Sequence, residues 1–149
     1  MRALVQRVSE AGVYIIEPPY SAETGAGMVI LLGVKEGDSE KDVTFTADKC
    51  ANLRIFEDSE GKMNISLKET GGEVLIISQF TLYGETAKGN RPNFTSAAKP
   101  EEANTLYEAF VERMKENLGS EKVKTGIFAA MMSVKIINDG PVTLIVESK

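Results

Sequence analysis

The chain has no histidine among its 149 residues, no tryptophan and one cysteine. Without histidine, neither a Ser-His-Asp nor a Cys-His nucleophile system can be assembled within it. Zinc sites built from His and Cys are equally out of reach. A carboxylate-only magnesium site would need a spacing of acidic residues that is not found here. The sequence therefore implies neither a metal nor another cofactor. The lone Cys50 rules out an intramolecular disulfide, suits a reducing compartment and, inside a helical pattern, reads as a small core residue. Every apolar run is cut by Gly or a charge well short of the ~20 residues that cross a bilayer. The start, Met1 to Arg7, reads as a first strand rather than a signal segment. The expectation is a cytosolic protein with no membrane association.

Positive charge is also in short supply. Seventeen Lys and Arg against 22 Asp and Glu leave a formal net charge of −5. Sequence-independent affinity for nucleic acid comes mainly from cations neutralising phosphates, so this balance argues against a long phosphate-tracking groove. On charge alone, a small-molecule or protein ligand is favoured.

What is present suits one compact domain over residues 1–149, since 42% hydrophobic composition at this length supplies a respectable core. Residues 2–16 predict one long strand or a strand pair, and Glu17-Pro18-Pro19-Tyr20-Ser21 a loop. Met28 to Val34 is apolar on both faces, as a central strand is. Ser39, with Asp42 three residues on, resembles a capping box, and Val43, Ala47, Cys50, Ala51 and Arg54 follow at helical spacing. Met63 to Leu67 suggests a hairpin partner for Ile55-Phe56. Val74 to Ile77 is the strongest central strand and runs into Ser78-Gln79-Phe80-Thr81. After a loop over 84–98, Pro100 opens a second helix with Glu101 and Glu102 in its first turn. Ala103, Leu106, Tyr107, Phe110, Val111, Met114 and Leu118 form its apolar face, and Gly119 ends it. Val134 to Ile137 and Val142 to Val146 read as a strand pair joined by Asn138-Asp139-Gly140-Pro141. Strands outnumber helices and most connections look too short for helical crossovers. The expected fold is a mixed α+β one: a mainly antiparallel, barrel-like sheet packed against two main helices.

Two segments hold more than a core requires. Ser78-Gln79-Phe80-Thr81-Leu82 lies where a buried strand emerges. A polar pair there can orient a ligand, and main-chain N–H groups at the strand's end can face a developing oxyanion. Ordinary strand-end hydrogen bonding with Phe80 in the core fits the same residues. In Gly140-Pro141, proline removes a donor and the preceding glycine relaxes the steric limits on its neighbour. An ordinary turn between strands fits that dipeptide too.

Several blocks in fixed order carry a wider likeness. They are Met1-Arg2-Ala3-Leu4-Val5-Gln6-Arg7-Val8, Ser78-Gln79-Phe80-Thr81-Leu82-Tyr83-Gly84, Gly89-Asn90-Arg91-Pro92-Asn93-Phe94 and Asn138-Asp139-Gly140-Pro141-Val142-Thr143. Asn52 to Asp58 and Gly61 to Asn64 add to them. Over nearly its whole length the chain resembles the D-aminoacyl-tRNA deacylases. The resemblance implies a homodimer with two sites at the subunit interface, acting on the 3′ end of aminoacyl-tRNA. Ser78, Gln79, Phe80 and Thr81 would form the pocket floor on a strand. Gly140 and Pro141, joined by a cis bond, would enter the pocket of the partner chain. Phe128, Ala97 and Met132 match positions lining a terminal-adenosine pocket, and Arg7 matches a residue that helps hold the Gly-Pro loop. The chain departs from the family pattern in three places. Ala129 stands where Gly is usual, Asn93 where Ser is common, and Glu17 to Ala26 lacks the family's short hairpin signature. The resemblance further implies chiral proofreading helped by the ribose 2′-hydroxyl; because glycine has no side chain to clash, glycyl-tRNA is expected to be hydrolysed as well. A non-catalytic dimeric module that binds an amino-acid-like ligand is the main alternative.

Overall fold

A computed structural model describes residues 1–149. The chain opens with one unbroken 14-residue strand, β1 (Arg2–Ile15), the longer of the two sequence alternatives. β2 (Tyr20–Thr24) folds back on its second half antiparallel, Ile15 opposite Tyr20, and β3 (Gly27–Gly33) pairs antiparallel with its first half. The expected loop is therefore confined to residues 16–19, where Pro18 and Pro19 sit, and Tyr20-Ser21 already belongs to a strand. On the other edge of β1 runs β8 (Ser133–Glu147), antiparallel along its whole length.

β6 (Glu73–Ser78) lies parallel to β3, and β7 (Val123–Thr125) parallel to β6. Parallel neighbours need long crossovers. Most connections are short, as expected, but both main helices sit inside the two such crossovers present. α1 (Glu40–Asn52) lies between β3 and β6, and α3 (Pro100–Leu118) between β6 and β7. The sheet order is β2-β1-β3-β6-β7 with β8 added on β1. The Tyr20 hydroxyl donates to the Thr125 carbonyl at 2.7 Å, tying β2 to β7. The result is a nearly closed, barrel-like sheet carrying the helices on its outer face.

Local chemistry accounts for the helices. Ser39 and Asp42 form the reciprocal capping box, and Pro100 occupies the first turn of α3 with Glu101 and Glu102 beside the positive helix end. Arg54 lies beyond the end of α1. A third helix went unforeseen. Leu67 starts α2 (Leu67–Thr70) rather than ending a hairpin strand, with Ser66 and Glu69 as its capping box. The small hairpin itself is β4 (Phe56–Glu57) and β5 (Met63–Ile65).

Two-residue alternation divides the apolar strands between two cores. Ala3, Val5, Met28, Ile30, Leu32, Val74 and Ile76 face α1 and α3, where Phe110 and Met114 are fully buried. Val8, Val13, Val29, Leu75 and Ile77 point to the inside of the curl, toward Met132, Val134 and Ile136. That is why the β3 and β6 runs are apolar on both faces.

Two predicted elements are corrected. Residues 134–137 and 142–146 are not a hairpin; both pair with β1 and belong to the single strand β8. β1 offers one continuous edge long enough for both, so the turn-like residues between them loop out instead of reversing the chain. Of Ser78-Gln79-Phe80-Thr81 only Ser78 lies in a strand. β6 ends at Ser78, and Phe80–Tyr83 forms a 3-10 turn. Gly33 makes room for it: a Cβ there would lie 3.2 Å from the Gln79 carbonyl and 3.1 Å from the Leu82 Cβ.

Tyr107 of α3 braces the end of β6, donating a buried 2.8 Å hydrogen bond to the Ile76 carbonyl while its ring stands 6.0 Å from that of Phe128. Tyr107→Phe keeps the packing and removes that bond. It is expected to lower unfolding free energy by about 1 kcal/mol in urea denaturation, and an unchanged midpoint would refute the bracing role.

Candidate functional site

β6 ends at a cavity of about 710 Å³ lined by residues of both cores, Val34 and Ala103 from one and Ile77 and Met132 from the other. Ile77, Ser78, Gln79 and Phe80 form one wall at the point where the strand gives way to the 3-10 turn. Ala97, Ala98, Lys99 and Pro100 form a second, and Phe128 to Met132 a third. The second wall is held by the main chain: Ala98 N–H donates to the Val34 carbonyl at 3.0 Å, and Glu36 N–H to the Ser96 carbonyl at 3.0 Å. In the third wall, Met132 lies directly over Gly126, where any Cβ would collide with its sulfur. Of the 17 lining residues only Lys99 is ionisable.

The structure thus brings together Ser78, Gln79, Phe80, Ala97, Phe128 and Met132 from the residues singled out by sequence. Phe80 is 55% exposed, so it is a wall of the cavity rather than a core residue. Thr81 lies outside the lining. Its hydroxyl accepts a hydrogen bond from the Gln79 side-chain amide, which ties the polar residues of the turn to each other. At the first turn of a helix the leading N–H groups have no partner within that turn. Here those groups belong to Phe80 and Thr81, with Gln79 N–H bonded instead to the Leu32 carbonyl at 2.7 Å.

Gly140, Pro141 and Arg7 are not part of this cavity. They form a separate feature on β8. Gln6 pairs with Thr143 and Val8 with Asn138, so residues 139–142 all stand opposite Arg7 alone. The four-residue excursion carries the Gly140–Pro141 peptide, which is cis, and both residues are exposed. Arg7 beneath it is only 8% exposed. A buried guanidinium is costly unless its donors are used. Nε donates to the Asp139 carbonyl at 3.3 Å and lies 3.3 Å from the Asp139 carboxylate, while Nη1 donates to the Ile55 carbonyl at 2.8 Å. Gly140 has φ of +123°, and a Cβ there would meet Arg7 Nη2 at 3.1 Å and Val142 at 2.9 Å. Asn138 Oδ1 completes the hold by accepting from Val142 N–H at 3.3 Å.

Sequence reasoning missed Phe94, which lines the cavity and meets Phe80 edge-on with ring centroids 5.2 Å apart. Its block, Gly89 to Phe94, was visible; a contact across 14 residues of chain was not. The unusual Asn93 has a clear local use, its Oδ1 accepting from Thr95 N–H at 2.9 Å, a turn that Ser can also make. Glu17 to Ala26, without the family's usual hairpin signature, nevertheless supplies the second strand of the β1–β2 hairpin. Cys50 is fully buried and its thiol is pushed up to about 12 by desolvation, which leaves it protonated and unreactive. No three of the Cys, Asp and Glu side chains converge so as to hold a metal ion. No helix is long and apolar enough to cross a membrane.

Ala129, in the third wall, is the one non-glycine residue with positive φ, at 62°. An L-residue there costs about 1–2 kcal/mol, partly offset in a glycine variant by the extra freedom of its unfolded chain. Ala129→Gly is expected to raise Tm by roughly 2–3 °C in calorimetry. A lowered Tm would mean that the alanine methyl contributes packing that outweighs the strain.

Known proteins resemble the chain along its whole length. The profile of the family described as D-Tyr-tRNA(Tyr) deacylase matches residues 4–147. A Bacillus velezensis protein named D-aminoacyl-tRNA deacylase is 53% identical over 149 residues, which are all of this chain and 99% of that one. Among solved structures, one named c-Myc DNA unwinding element binding protein superposes with a TM-score of 0.93 at 39% identity, covering 100% of this chain and 99% of the other. Another, described as a probable eukaryotic D-amino acid tRNA deacylase, shares the fold with a TM-score of 0.83 at 16% identity, covering 99% and 98%.

Proposed function

This chain belongs to the D-Tyr-tRNA(Tyr) deacylase family and is an ester hydrolase acting on D-aminoacyl-tRNA, and from that premise we propose how its site is completed and how it selects one enantiomer. The active unit is a homodimer of one-domain chains, working in the cytosol beside its substrate. Each cavity takes the aminoacylated 3′ end of a tRNA, and the partner chain lends Gly140 and Pro141 as the missing wall. The observation that carries this reading is a division of labour. The cavity has walls on three sides, whereas the exposed Gly140-Pro141 excursion contributes nothing to the cavity of its own chain.

In this arrangement Phe128, Ala97 and Met132 hold the terminal adenosine, and the ester lies along Ser78 to Thr81. The Phe80 and Thr81 N–H groups face the carbonyl oxygen and stabilise its developing negative charge. One such donor is worth about 3 kcal/mol of barrier in other acyl transfers. An aminoacyl ester is already activated, so positioning and charge stabilisation suffice without a titrating side chain. The terminal ribose 2′-hydroxyl helps to activate the attacking water. The absence of any histidine, and of any ionisable lining residue except Lys99, supports that assignment. Thr81 shapes the turn rather than attacking, since its hydroxyl is engaged by a neutral amide.

Chirality then follows from a main-chain wall. With the substrate α-amino group held by the partner's Gly-Pro carbonyls, a D side chain points outward and an L side chain collides with the wall. Such a wall cannot reject glycine, so glycyl-tRNA, including glycine mischarged on tRNA(Ala), is a second substrate. Gripping only the 3′ end needs few phosphate contacts, which makes a net charge of −5 tolerable. Lys88 and Arg91, both exposed in the loop before Phe94, can supply local positive charge.

The deciding assay offers the purified protein matched D- and L-tyrosyl-tRNA together with glycyl-tRNA. Release from the D and glycyl esters but not the L ester is expected. Equal turnover of both enantiomers would remove the chiral wall, and binding without release would favour a non-catalytic module. Thr81→Ala should retain deacylation within roughly tenfold; an acyl group trapped on Thr81 would instead make it the nucleophile.

A further inference from the structure

Phe80 has left β6, so its ring is not held by the sheet. Its neighbours are hydrogen-bonded, Gln79 N–H to the Leu32 carbonyl at 2.7 Å and Gly84 N–H to the Thr81 carbonyl at 3.0 Å, but neither bond is made by Phe80 itself. The ring, 55% exposed, meets Phe94 at 66° in an edge-to-face contact. Phe94 is far better anchored. Glu85 and Asn93 exchange backbone hydrogen bonds of 2.7 and 3.0 Å at the base of the preceding loop. The Phe94 carbonyl accepts from Ala97 N–H at 3.1 Å. Its ring also fills the space over Gly84, where a Cβ would lie 2.9 Å from Phe94 Cε1. Gly84 itself has φ of −70° and ψ of 122°, which any residue adopts, so its smallness makes room for its neighbours, the Phe94 ring first and then the Thr81 carbonyl, 3.1 Å from such a Cβ.

We propose that Phe94 is a positioning residue for the hydrolysis: seated on Gly84, its ring fixes Phe80 and thereby aims the Phe80–Thr81 main chain into the cavity. The inference rests on the deacylase reading above and adds to it a residue and a glycine with no other assigned part. Its signature is kinetic. Donors aimed at a charge that exists only in the transition state affect kcat, whereas loose packing alone affects stability.

The test measures kcat and KM on D-tyrosyl-tRNA, with thermal unfolding alongside, for wild type, Phe94→Ala, Phe94→Tyr, Gly84→Ala and the double variant Gly84→Ala/Phe94→Ala. Phe94→Ala should lower kcat roughly three- to tenfold, the scale of one aromatic pair, with KM changed less than about twofold. Phe94→Tyr should restore it. Gly84→Ala, which displaces the ring without removing it, should lower kcat similarly, and the double variant should lose less than the product of the two single losses because they share the Gly84–Phe94 contact. Unchanged kcat in Phe94→Ala and Gly84→Ala, or losses in Tm alone, would overturn the inference while leaving the deacylase reading intact. A wild-type protein without D-specific turnover would overturn both.

Discussion

A strand ladder that places four residues opposite one cannot keep its pairing, and in this chain the mismatch falls at Arg7. The exposed Gly140-Pro141 excursion follows from how it is accommodated. β1 is long enough to hold β8 on both sides of the break, so residues 139–142 bulge outward and, after a second irregularity at Ser9, pairing resumes with an even shift of two rather than a slip of one. Slippage would turn every side chain of half the strand to the wrong face. The bulge is in turn held from beneath by a buried guanidinium whose donors reach the Asp139 and Ile55 carbonyls. A sheet irregularity has thereby become a rigid protrusion of main-chain atoms.

The cavity depends on a second discontinuity, the end of β6. A strand buried on both faces by two separate cores has no freedom to shift, so the position of Ser78 is as well defined as the cores themselves. Immediately beyond it the chain tightens into a 3-10 turn against Gly33, which turns N–H groups away from the sheet. Reactive geometry built from backbone needs such rigid support, because no side-chain rotamer can correct a misplaced donor. An apolar cavity without histidine is consistent with chemistry in which position and charge stabilisation carry the load.

Much of this was legible in the residues and some was not, for physical reasons. Ser39 and Asp42, Pro100 and Gly119 mark helix ends through local capping, so both long helices could be read directly. The Ser66–Glu69 capping box was equally visible and marks α2, but the apolar residues before it suggested a strand. Asn138-Asp139-Gly140-Pro141 has the composition of a hairpin turn. Only the length of β1, a partner more than a hundred residues away, makes it a bulge. Parallel pairing of β3 with β6 and β7 likewise depends on crossovers that no window of sequence reports. For the site, Ser78 to Phe80 and Phe128 to Met132 could be named in advance, whereas the Phe80–Phe94 contact and the room left by Gly84 arise only on folding.

The central claim is that one chain supplies the pocket and another the wall. It is tested most directly by mixing two damaged chains. Ala97→Trp fills the cavity but keeps the excursion, and Gly140→Val disrupts the excursion but keeps the cavity; each homodimer should fail to deacylate D-tyrosyl-tRNA. Mixed dimers should recover activity, because one of the two sites then pairs an intact pocket with an intact wall from its neighbour. No recovery in mixed dimers verified by mass spectrometry would mean that pocket and wall act within the same chain, and the account would be wrong.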